Sequence, residues 1–248
     1  MGDKGEKRIK LNENVQQEMS IQAGHDDAKN NNDIATQFVK FQMELDRKND
    51  KYERLVKSSR DITIASKRCI FLLHRALNDS SKQEEVLLEA KNKLDEIQIK
   101  QWSKIIAEVD NDDRYLYARA YWPGLEEFVE AMTYYYYLKE SKLISLSQFI
   151  DLAPLPGKLL TAYDFAAGIA DLSGELMRLC INASGSGGES RCYRICVFIR
   201  VIYKRFVGLS KKIKGLTKKC HQVQQNLAKI ENTCYELKLR KAEVLPSA

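Results

Sequence analysis

The chain has 248 residues, of which 30% are charged and 44% hydrophobic, and its formal net charge is +6 with a pI near 8.9. Its six cysteines form no CxxC pair and no signal peptide opens the chain, which argues against a disulfide framework and a zinc finger. The longest apolar stretch contains Asp171 and Glu175, which argues against a transmembrane span. With only four prolines and twelve glycines, the sequence predicts an all-α fold of long helices.

Three regions are predicted along the chain. Residues 1–32 mix both charge signs with few large apolar residues, so they cannot offset the entropy of ordering and are predicted to form a disordered tail. Residues 33–243 are predicted to form one helical domain, and residues 244–248 a short C-terminal tail.

The first helix is predicted from a seven-residue apolar repeat between Asp33 and Leu77. Its two rows are Phe38, Leu45 and Tyr52, and Phe41, Leu55, Ile62 and Cys69. Polar residues at 78–81 break this helix, and Ser81 with Glu84 forms a capping-box pattern that starts a second helix running to about Val109.

The middle of the chain predicts two more helices and a linker. A third helix begins within Asp110–Asp113, pauses or restarts at Pro123 and runs through Glu140. The segment Asp151–Gly157 contains two prolines and is predicted to be a linker. A fourth, strongly apolar helix follows over Lys158–Ile181 and ends at a Ser/Gly-rich run.

Two final helices are predicted over Glu189–Phe206 and Ser210–Arg240. The last one carries an apolar stripe with alternating spacings of four and three residues. The stripe consists of Leu209, Ile213, Leu216, Cys220, Val223, Leu227, Ile230, Cys234 and Leu237. Such a stripe packs inside the chain's own bundle or, in part, against a second subunit, and the pattern suits both.

Acidic residues recur at helical spacing on the third and fourth helices. Those on the fourth helix share one narrow face, and those on the third are three residues apart. The residues are Glu127 and Glu130 on the third helix, and Asp164, Asp171 and Glu175, with Arg178, on the fourth. Charges on a largely apolar helix must be paired, bind a metal or face a wet cavity, because an isolated buried charge costs several kcal/mol.

A metal-dependent nuclease site is one interpretation of these carboxylates. Mg²⁺ prefers oxygen ligands, and it can activate a water and neutralise charge on a phosphodiester. The alternative is that Glu127 and Glu130 line a solvated helix face while Asp171 pairs with Arg178. A two-histidine ribonuclease is disfavoured, because only three histidines exist and His74 is predicted to be partly buried and hydrogen-bonded.

Two other features are predicted to be structural. Cys192 and Cys196 lie four residues apart but lack a neighbouring histidine or second pair, so they are predicted to pack rather than to bind a metal. The run Tyr134–Tyr137 covers every face of a helix, which indicates core or interface packing more than base stacking.

The region between Ser190 and Lys229 contains eleven lysines and arginines and no acidic residue. This block predicts a surface for phosphate backbones, and the alternative of an anionic membrane is weakened by the lack of aromatic anchors. The RNA-binding candidates, called here the basic set, are Arg200, Lys204, Arg205, Lys211, Lys212, Lys214, Lys218 and Lys219.

Four segments resemble a known family. DKYERLVKSSRDITIASKRCIFLLHR from Asp50, GLEEFVEA from Gly124, ADLSGELMRLCIN from Ala170 and LAKIENTCYELKLR from Leu227 resemble the translin family. The likeness extends over most of residues 34–243 and is closer to the translin-associated protein X (TRAX) branch than to the translin branch.

The resemblance implies a translin-type bundle of about seven helices and assembly with translin into a closed, barrel-like hetero-oligomer whose interior binds single- and double-stranded RNA. It also implies a Mg²⁺-dependent endoribonuclease, with Mn²⁺ as a second metal. That activity removes the nicked passenger strand of small interfering RNA, activates the RNA-induced silencing complex and processes transfer-RNA precursor fragments. A non-catalytic RNA-binding or scaffold subunit that stabilises translin remains the alternative.

The family's acidic residues correspond to Glu127, Glu130, Asp171 and Glu175. The resemblance implies that these four are catalytic and that the first three bind the metal directly, with Glu175 as a ligand or an orienting residue. It also implies a cytoplasmic and nuclear location. A nuclear import signal is visible only as the basic residues at 7, 8 and 10.

Overall fold

The computed structural model describes the backbone of residues 3–75, 82–109 and 113–244, and the side chains of residues 34–75, 82–109 and 113–242. Two compact units divide the chain, residues 1–52 and residues 53–248. The described residues are helical and contain no strand, which confirms the all-α prediction. Within the same ranges, no helix combines the length and apolarity that a membrane crossing requires.

The helices follow one another with short connections. The α-helices are α1 (Asp3–Arg75), α2 (Gln83–Glu96), α3 (Ser103–Glu108), α4 (Ala118–Glu140), α5 (Leu146–Leu152), α6 (Pro154–Gly157), α7 (Ala162–Gly185), α8 (Glu189–Ser210) and α9 (Thr217–Val244). A π-helical segment, Ile97–Trp102, joins α2 to α3, and a 3₁₀ turn, Lys214–Leu216, precedes α9.

In the first unit, the described side chains of α1 are exposed, except that of the partly buried Lys51. Phe38, Phe41 and Leu45 are more than half exposed, and the rings of the two phenylalanines meet edge to face at 6.1 Å between centroids. These residues follow the predicted seven-residue repeat and lie on a helix, but in this unit they are not buried in a hydrophobic core.

In the second unit, the same repeat enters the core. Leu55, Ile62 and Cys69 on α1 are at most 1% exposed. The repeat therefore predicted the buried face of α1 correctly from Leu55 onward, because residues seven apart return to nearly the same side of a helix.

Helix α7 lies at the centre of the second unit, where it packs against α4, α8 and α9. Its approach to α4 is close because Gly168 has no side chain. A Cβ there would lie 2.5 Å from Val129 Cγ1 and 3.1 Å from the carbonyl oxygen of Glu126. This contact sets the separation of the two helices that carry the predicted acidic residues.

Helix α4 also meets α1 at a glycine. The backbone N–H of Gly124 donates to Ser59 Oγ at 3.0 Å, and a Cβ on Gly124 would lie 2.8 Å from the Ser59 carbonyl oxygen. The Ser59 hydroxyl in turn donates to the Tyr121 carbonyl at 3.3 Å. Because Ser59 is buried, these bonds satisfy polar groups that have no access to water.

The predicted start of the third helix is wrong. Helix α4 begins at Ala118 because the preceding residues form turns, in which the Tyr117 N–H donates to the Asp113 carbonyl at 3.0 Å. Pro123 neither pauses nor restarts the helix and lies inside it.

The predicted linker at 151–157 is also wrong, because α5 and α6 occupy this region. Ser145 and Gln148 form a capping box at the start of α5, and Pro154 occupies the first position of α6, where its missing N–H costs nothing. The capping-box residues Ser145 and Gln148 are visible in the sequence, but the two nearby prolines favoured the prediction of a linker.

The fourth helix begins four residues later than predicted. Thr161 caps α7, and Asp164 completes the capping box by accepting the Thr161 N–H at 3.0 Å and the Thr161 hydroxyl at 2.7 Å. Asp164 therefore belongs to the helix start, although its spacing placed it with Asp171 and Glu175.

The last helix begins at Thr217, and α8 extends to Ser210. Leu209 and Ile213 are exposed and lie outside the last helix, so the first two positions of the predicted stripe are wrong. From Leu216 to Leu237 the stripe is buried except at the partly buried Cys220, and α9 packs on α7 and α8. This part confirms packing inside the chain's own bundle.

Some predictions are not tested by the described residues. The cap at Ser81 and residues 245–248 of the predicted tail lie outside them, and of the predicted disordered tail only the backbone of residues 3–32 is described, as part of α1. These stay predictions.

Candidate functional site

The four predicted acidic residues line one cavity at the contact of α4 and α7, which residues of α1 and α9 also line. Glu127 and Glu130 come from α4, and Asp171 and Glu175 come from α7. The cavity has a volume of about 540 Å³, and we call it the acidic cavity. Gly168 permits the close packing of the two helices that brings the four carboxylates together.

Glu130 is the most buried of the four, with 8% of its surface exposed. Burial, followed by the negative charges of Glu127, Asp171 and Glu175, raises the pKa of Glu130 to about 9. Among the described residues, the Glu130 carboxyl group has no hydrogen bond or ion pair to offset this. The acidic cavity therefore surrounds Glu130 with negative charge, which keeps this carboxyl group protonated near pH 7 when no counter-ion is bound.

Two lysines partly balance the other carboxylates. Lys67 Nζ lies 3.0 Å from Glu127 Oε1, and Lys219 Nζ lies 2.8 Å from Asp171 Oδ2 and 3.2 Å from Glu126 Oε2. Burial outweighs these lysines at Glu126 and Glu127 and raises the pKa of both carboxyl groups. Burial opposes the charge of Lys219, but Asp171 and Glu126 outweigh it and raise the pKa of that lysine.

Glu175 is held by a short chain of hydrogen bonds. Its Oε2 lies 2.5 Å from His74 Nε2, and His74 Nδ1 lies 3.1 Å from the Tyr134 hydroxyl. Burial acts to raise the pKa of Glu175, but the His74 hydrogen bond and the Arg178 charge outweigh it, so the pKa is lowered. Glu175 is therefore an ionised and oriented carboxylate.

The alternative weighed from the sequence, a solvated carboxylate face and an Asp171–Arg178 pair, is wrong for Asp171 and Glu130. Asp171 pairs with Lys219, whereas Arg178 pairs with Glu175 at 3.7 Å. Glu130 is buried and does not line a solvated face. His74 is a partly buried, hydrogen-bonded histidine as predicted, although its partner is a site carboxylate.

Sequence reasoning missed several residues at the acidic cavity. Lys67 and Gln222 line it, and Gln222 Nε2 donates to Asp171 Oδ1 at 2.9 Å. His74 and Glu126 lie beside it, where His74 bonds to Glu175 and Glu126 shares Lys219 with Asp171. Lys67 and His74 are seven residues apart on α1, so a shared helix face was a usable signal for them. Gln222 and Glu126 offered no such signal, because their partners come from distant parts of the chain.

The donor set suits a hard divalent cation, since carboxylate oxygens are the ligands that Mg²⁺ prefers. In the described ranges, no three acidic, histidine or cysteine side chains lie close enough together to hold an ion with the present side-chain positions. The reason is visible at Asp171 and Glu127, whose oxygens are directed to lysines.

The basic set divides into three parts. Arg200 forms an ion pair with Glu231 at 2.7 Å, and Lys219 lies at the acidic cavity. The remaining members are exposed: Lys204, Arg205, Lys211, Lys212, Lys214 and Lys218. Their predicted contact with phosphates stays a prediction.

The residues predicted to be structural are buried. Tyr134–Tyr137 are at most 7% exposed, and Cys192 and Cys196 lie in the core as free thiols. Burial raises the pKa of the Cys192 thiol. Neither group contributes to the acidic cavity except through the Tyr134 hydroxyl.

Fold and site together define an all-helical protein with a carboxylate cavity between two packed helices. The Translin family profile matches residues 50–241, and the chain belongs to the Translin family. Translin-associated protein X of Mus musculus is 37% identical over 88% of this chain and 83% of its own length. The Schizosaccharomyces pombe homolog of that protein is 26% identical over 84% of the chain and 89% of its own length.

The likeness to translin itself is shorter. Human translin is 26% identical over 47% of this chain and 53% of its own length. Resemblance to the TRAX branch therefore extends further, as the four sequence segments indicated.

Solved structures share the fold. The crystal structure of apo-NeC3PO superposes with a TM-score of 0.60 at 20% identity and covers 79% of this chain and 95% of the matched one. A structure of AfC3PO with duplex RNA gives 0.59 at 18% identity and covers 83% and 98%. These likenesses confirm the translin-type fold.

Proposed function

We propose that this chain is the catalytic subunit of a translin–TRAX-type assembly and cleaves RNA internally in a Mg²⁺-dependent reaction. The observation that carries the proposal is the acidic cavity, in which three carboxylates meet around a buried Glu130 that has no direct counter-ion. The relatives support the rest, because they are named for association with translin and one solved structure of this fold contains duplex RNA.

The residues present fit a divalent cation. Three negative neighbours raise the pKa of Glu130 in addition to burial, so a cation in the acidic cavity would relieve their mutual repulsion. Glu127, Glu130 and Asp171 would hold Mg²⁺, with Mn²⁺ as a substitute. Lys67 would then release Glu127, and Lys219 would release Asp171. The metal would replace the two lysine ammonium groups as the counter-ion of these carboxylates.

Bound Mg²⁺ would supply an activated water nucleophile and neutralise charge on the phosphodiester oxygens. The chain's own residues would prepare the site. His74 and Arg178 fix the ionised Glu175 beside the other carboxylates, and the Tyr134 hydroxyl fixes the His74 ring. Lys219, once released from Asp171, is a cation within the cavity that suits a phosphate oxygen.

A second candidate function has its own observation. Lys67 and Lys219 already neutralise Glu127 and Asp171 within the protein, which suits a non-catalytic RNA-binding subunit that stabilises translin. The two candidates differ in metal binding, because only the catalytic one needs an ion in the acidic cavity.

Titration calorimetry of the assembly with Mg²⁺ separates these candidates. We expect saturable binding to the parental assembly and loss of that binding when this subunit carries Glu130→Gln, because the amide keeps the size but lacks the charge. Glu140→Gln, at the exposed end of the same helix, is the matched control and should bind like the parent. Equal Mg²⁺ binding by all three proteins would favour the non-catalytic candidate.

The exposed part of the basic set is the proposed contact for the RNA backbone. Reversing Lys211, Lys212, Lys214 and Lys218 to glutamate should weaken RNA binding and flatten the slope of log affinity against log salt, because each lost phosphate contact removes about 0.7 from that slope for a single strand. Arg200→Glu is the control, since Arg200 already pairs with Glu231. A filter-binding titration with an unchanged slope would remove these lysines from the RNA interface.

The substrates proposed are those of the TRAX branch. They are the nicked passenger strand of small interfering RNA, whose removal activates the RNA-induced silencing complex, and transfer-RNA precursor fragments. Cytoplasmic and nuclear residence and a closed barrel with translin complete the proposal.

A further inference from the structure

A second pocket lies between the same two helices, on the N-terminal side of the acidic cavity along both. Its volume is about 190 Å³ and its walls are largely aromatic. The residues that matter here are Arg114, Tyr115, Tyr121, Trp122, Tyr163 and Asp164. We call it the aromatic pocket, and the rings of Trp122 and Tyr163 stand 5.5 Å apart within it.

Hydrogen bonds hold two walls of the aromatic pocket in place. The Tyr121 hydroxyl donates to the Arg114 carbonyl at 2.8 Å, and the Tyr163 hydroxyl donates to the Gly215 carbonyl at 3.3 Å. A Cβ on Gly215 would lie 2.9 Å from the Tyr163 ring, so the ring rests directly on the backbone. The pocket is therefore preformed, which reduces the entropy lost on binding a ligand.

Other groups of the aromatic pocket remain available. Tyr115 is 75% exposed, and the Arg114 guanidinium carbon lies 5.2 Å from the centre of its ring. The pocket thus offers an exposed aromatic face with a cation beside it.

The aromatic pocket is close to the acidic cavity. On α4, Trp122 precedes Glu126 by four residues, which is about 6 Å along the helix axis. On α7, Asp164 precedes Asp171 by seven residues, which is about 10 Å. These separations equal roughly two to three of the 3.4 Å steps of a nucleic-acid strand. Lys219 bonds to both Glu126 and Asp171, so a cation lies beside the path from one pocket to the other.

We propose that the aromatic pocket binds one unpaired nucleobase of the RNA strand whose backbone enters the acidic cavity. This inference rests on the proposed function. Aromatic side chains bind bases by stacking on their faces, and the exposed ring of Tyr115 is available for this. A volume of about 190 Å³ is below the roughly 300 Å³ at which pockets for drug-sized ligands begin, so it suits one flat ring system.

Two substitutions at Tyr115 test this pocket. Tyr115→Ala removes the exposed ring and Tyr115→Phe keeps it, and neither disturbs the core because the residue is mostly exposed. Fluorescence anisotropy in EDTA, where no metal-dependent cleavage occurs, would measure the affinity of the full assembly for a short single-stranded RNA. We expect Tyr115→Ala to bind roughly tenfold more weakly and Tyr115→Phe to match the parent.

An abasic strand of the same length completes the test. Removing every base should weaken the affinity of the parental protein for the strand. In Tyr115→Ala the ratio of the affinities for intact and abasic strands should be smaller, by the same factor by which the substitution weakens binding of the intact strand. The proposal is overturned if Tyr115→Ala binds the intact strand like the parent, or if the difference between strands is unchanged.

Two further outcomes separate the hypotheses. If Tyr115→Ala leaves RNA affinity unchanged but releases the partner subunit in light scattering, the aromatic pocket holds a protein side chain and the proposal is wrong. Failure of the proposed function is seen separately, as absence of Mg²⁺-dependent cleavage by the parental assembly. RNA binding in EDTA does not depend on that activity.

Discussion

Glu127→Gln, Glu130→Gln and Asp171→Asn should each lower the rate of Mg²⁺-dependent RNA cleavage by on the order of 100-fold or more. Each change keeps the side-chain size and removes one of the charges proposed to hold the metal. Loss of a group that only orients a ligand costs about 10–100-fold, so loss of a ligand should cost at least as much. Glu175→Gln should be milder, at roughly tenfold, because the amide oxygen can still accept the hydrogen bond from His74 even though the ion pair with Arg178 is lost.

The same variants should keep their fold, their partner and their affinity for RNA. With its pKa raised to about 9, the buried Glu130 carboxyl group is neutral near pH 7 when no cation is bound, so a neutral amide of the same size changes little in the fold. Single-turnover cleavage, RNA affinity and light scattering on assemblies that vary only this subunit measure the three properties separately. Cleavage at the parental rate, or dissociation of the complexes, would mean that these carboxylates are structural.

Gly124→Ala should lower the free energy of unfolding by about 1–3 kcal/mol, because overfilling a packed contact costs that much. The added Cβ would lie 2.8 Å from a backbone oxygen of Ser59, and backbone cannot move aside as a flexible side chain does. The loss corresponds to a fall in Tm of about 2–4 °C for each kcal/mol in a protein of this size. Thermal unfolding of the assembly would measure it.

Gly208→Ala is the matched control for this prediction. Gly208 also lies inside a helix, α8, but a Cβ there meets nothing within 4 Å. Alanine should therefore stabilise the helix by about 0.5–1 kcal/mol. If both substitutions shift Tm in the same direction, the contact between α1 and α4 is not tight, and the account of how α4 is positioned is wrong.

Much of the fold could be predicted because periodicity reports which face of a helix is buried. The repeat through Leu55, Ile62 and Cys69 and the stripe from Leu216 to Leu237 gave two core faces correctly. Helix ends were less predictable, because they depend on caps and turns that involve few residues. The helix that Ser145 caps continues into the region where prolines indicated a linker, and α7 begins only after its cap at Thr161, later than predicted.

The candidate site shows the same limit. Spacing placed Asp164, Asp171 and Glu175 on one face of α7, yet one of them caps the helix and two line the acidic cavity. The spacing of residues within a helix determines the face on which their side chains lie. It does not show which residues of neighbouring helices those side chains meet. Lys219 illustrates this, because it was assigned to an RNA surface but bonds to Asp171 across 48 residues of sequence.

The most direct test of the central claim is cleavage of single-stranded RNA by this chain co-purified with translin, measured in Mg²⁺ and in EDTA, beside translin purified alone. We predict internal cleavage by the co-purified assembly in Mg²⁺, its loss in EDTA, and no comparable cleavage by translin alone. Cleavage that persists in EDTA, or equal cleavage by translin without this chain, would contradict a metal-dependent catalytic role for the acidic cavity.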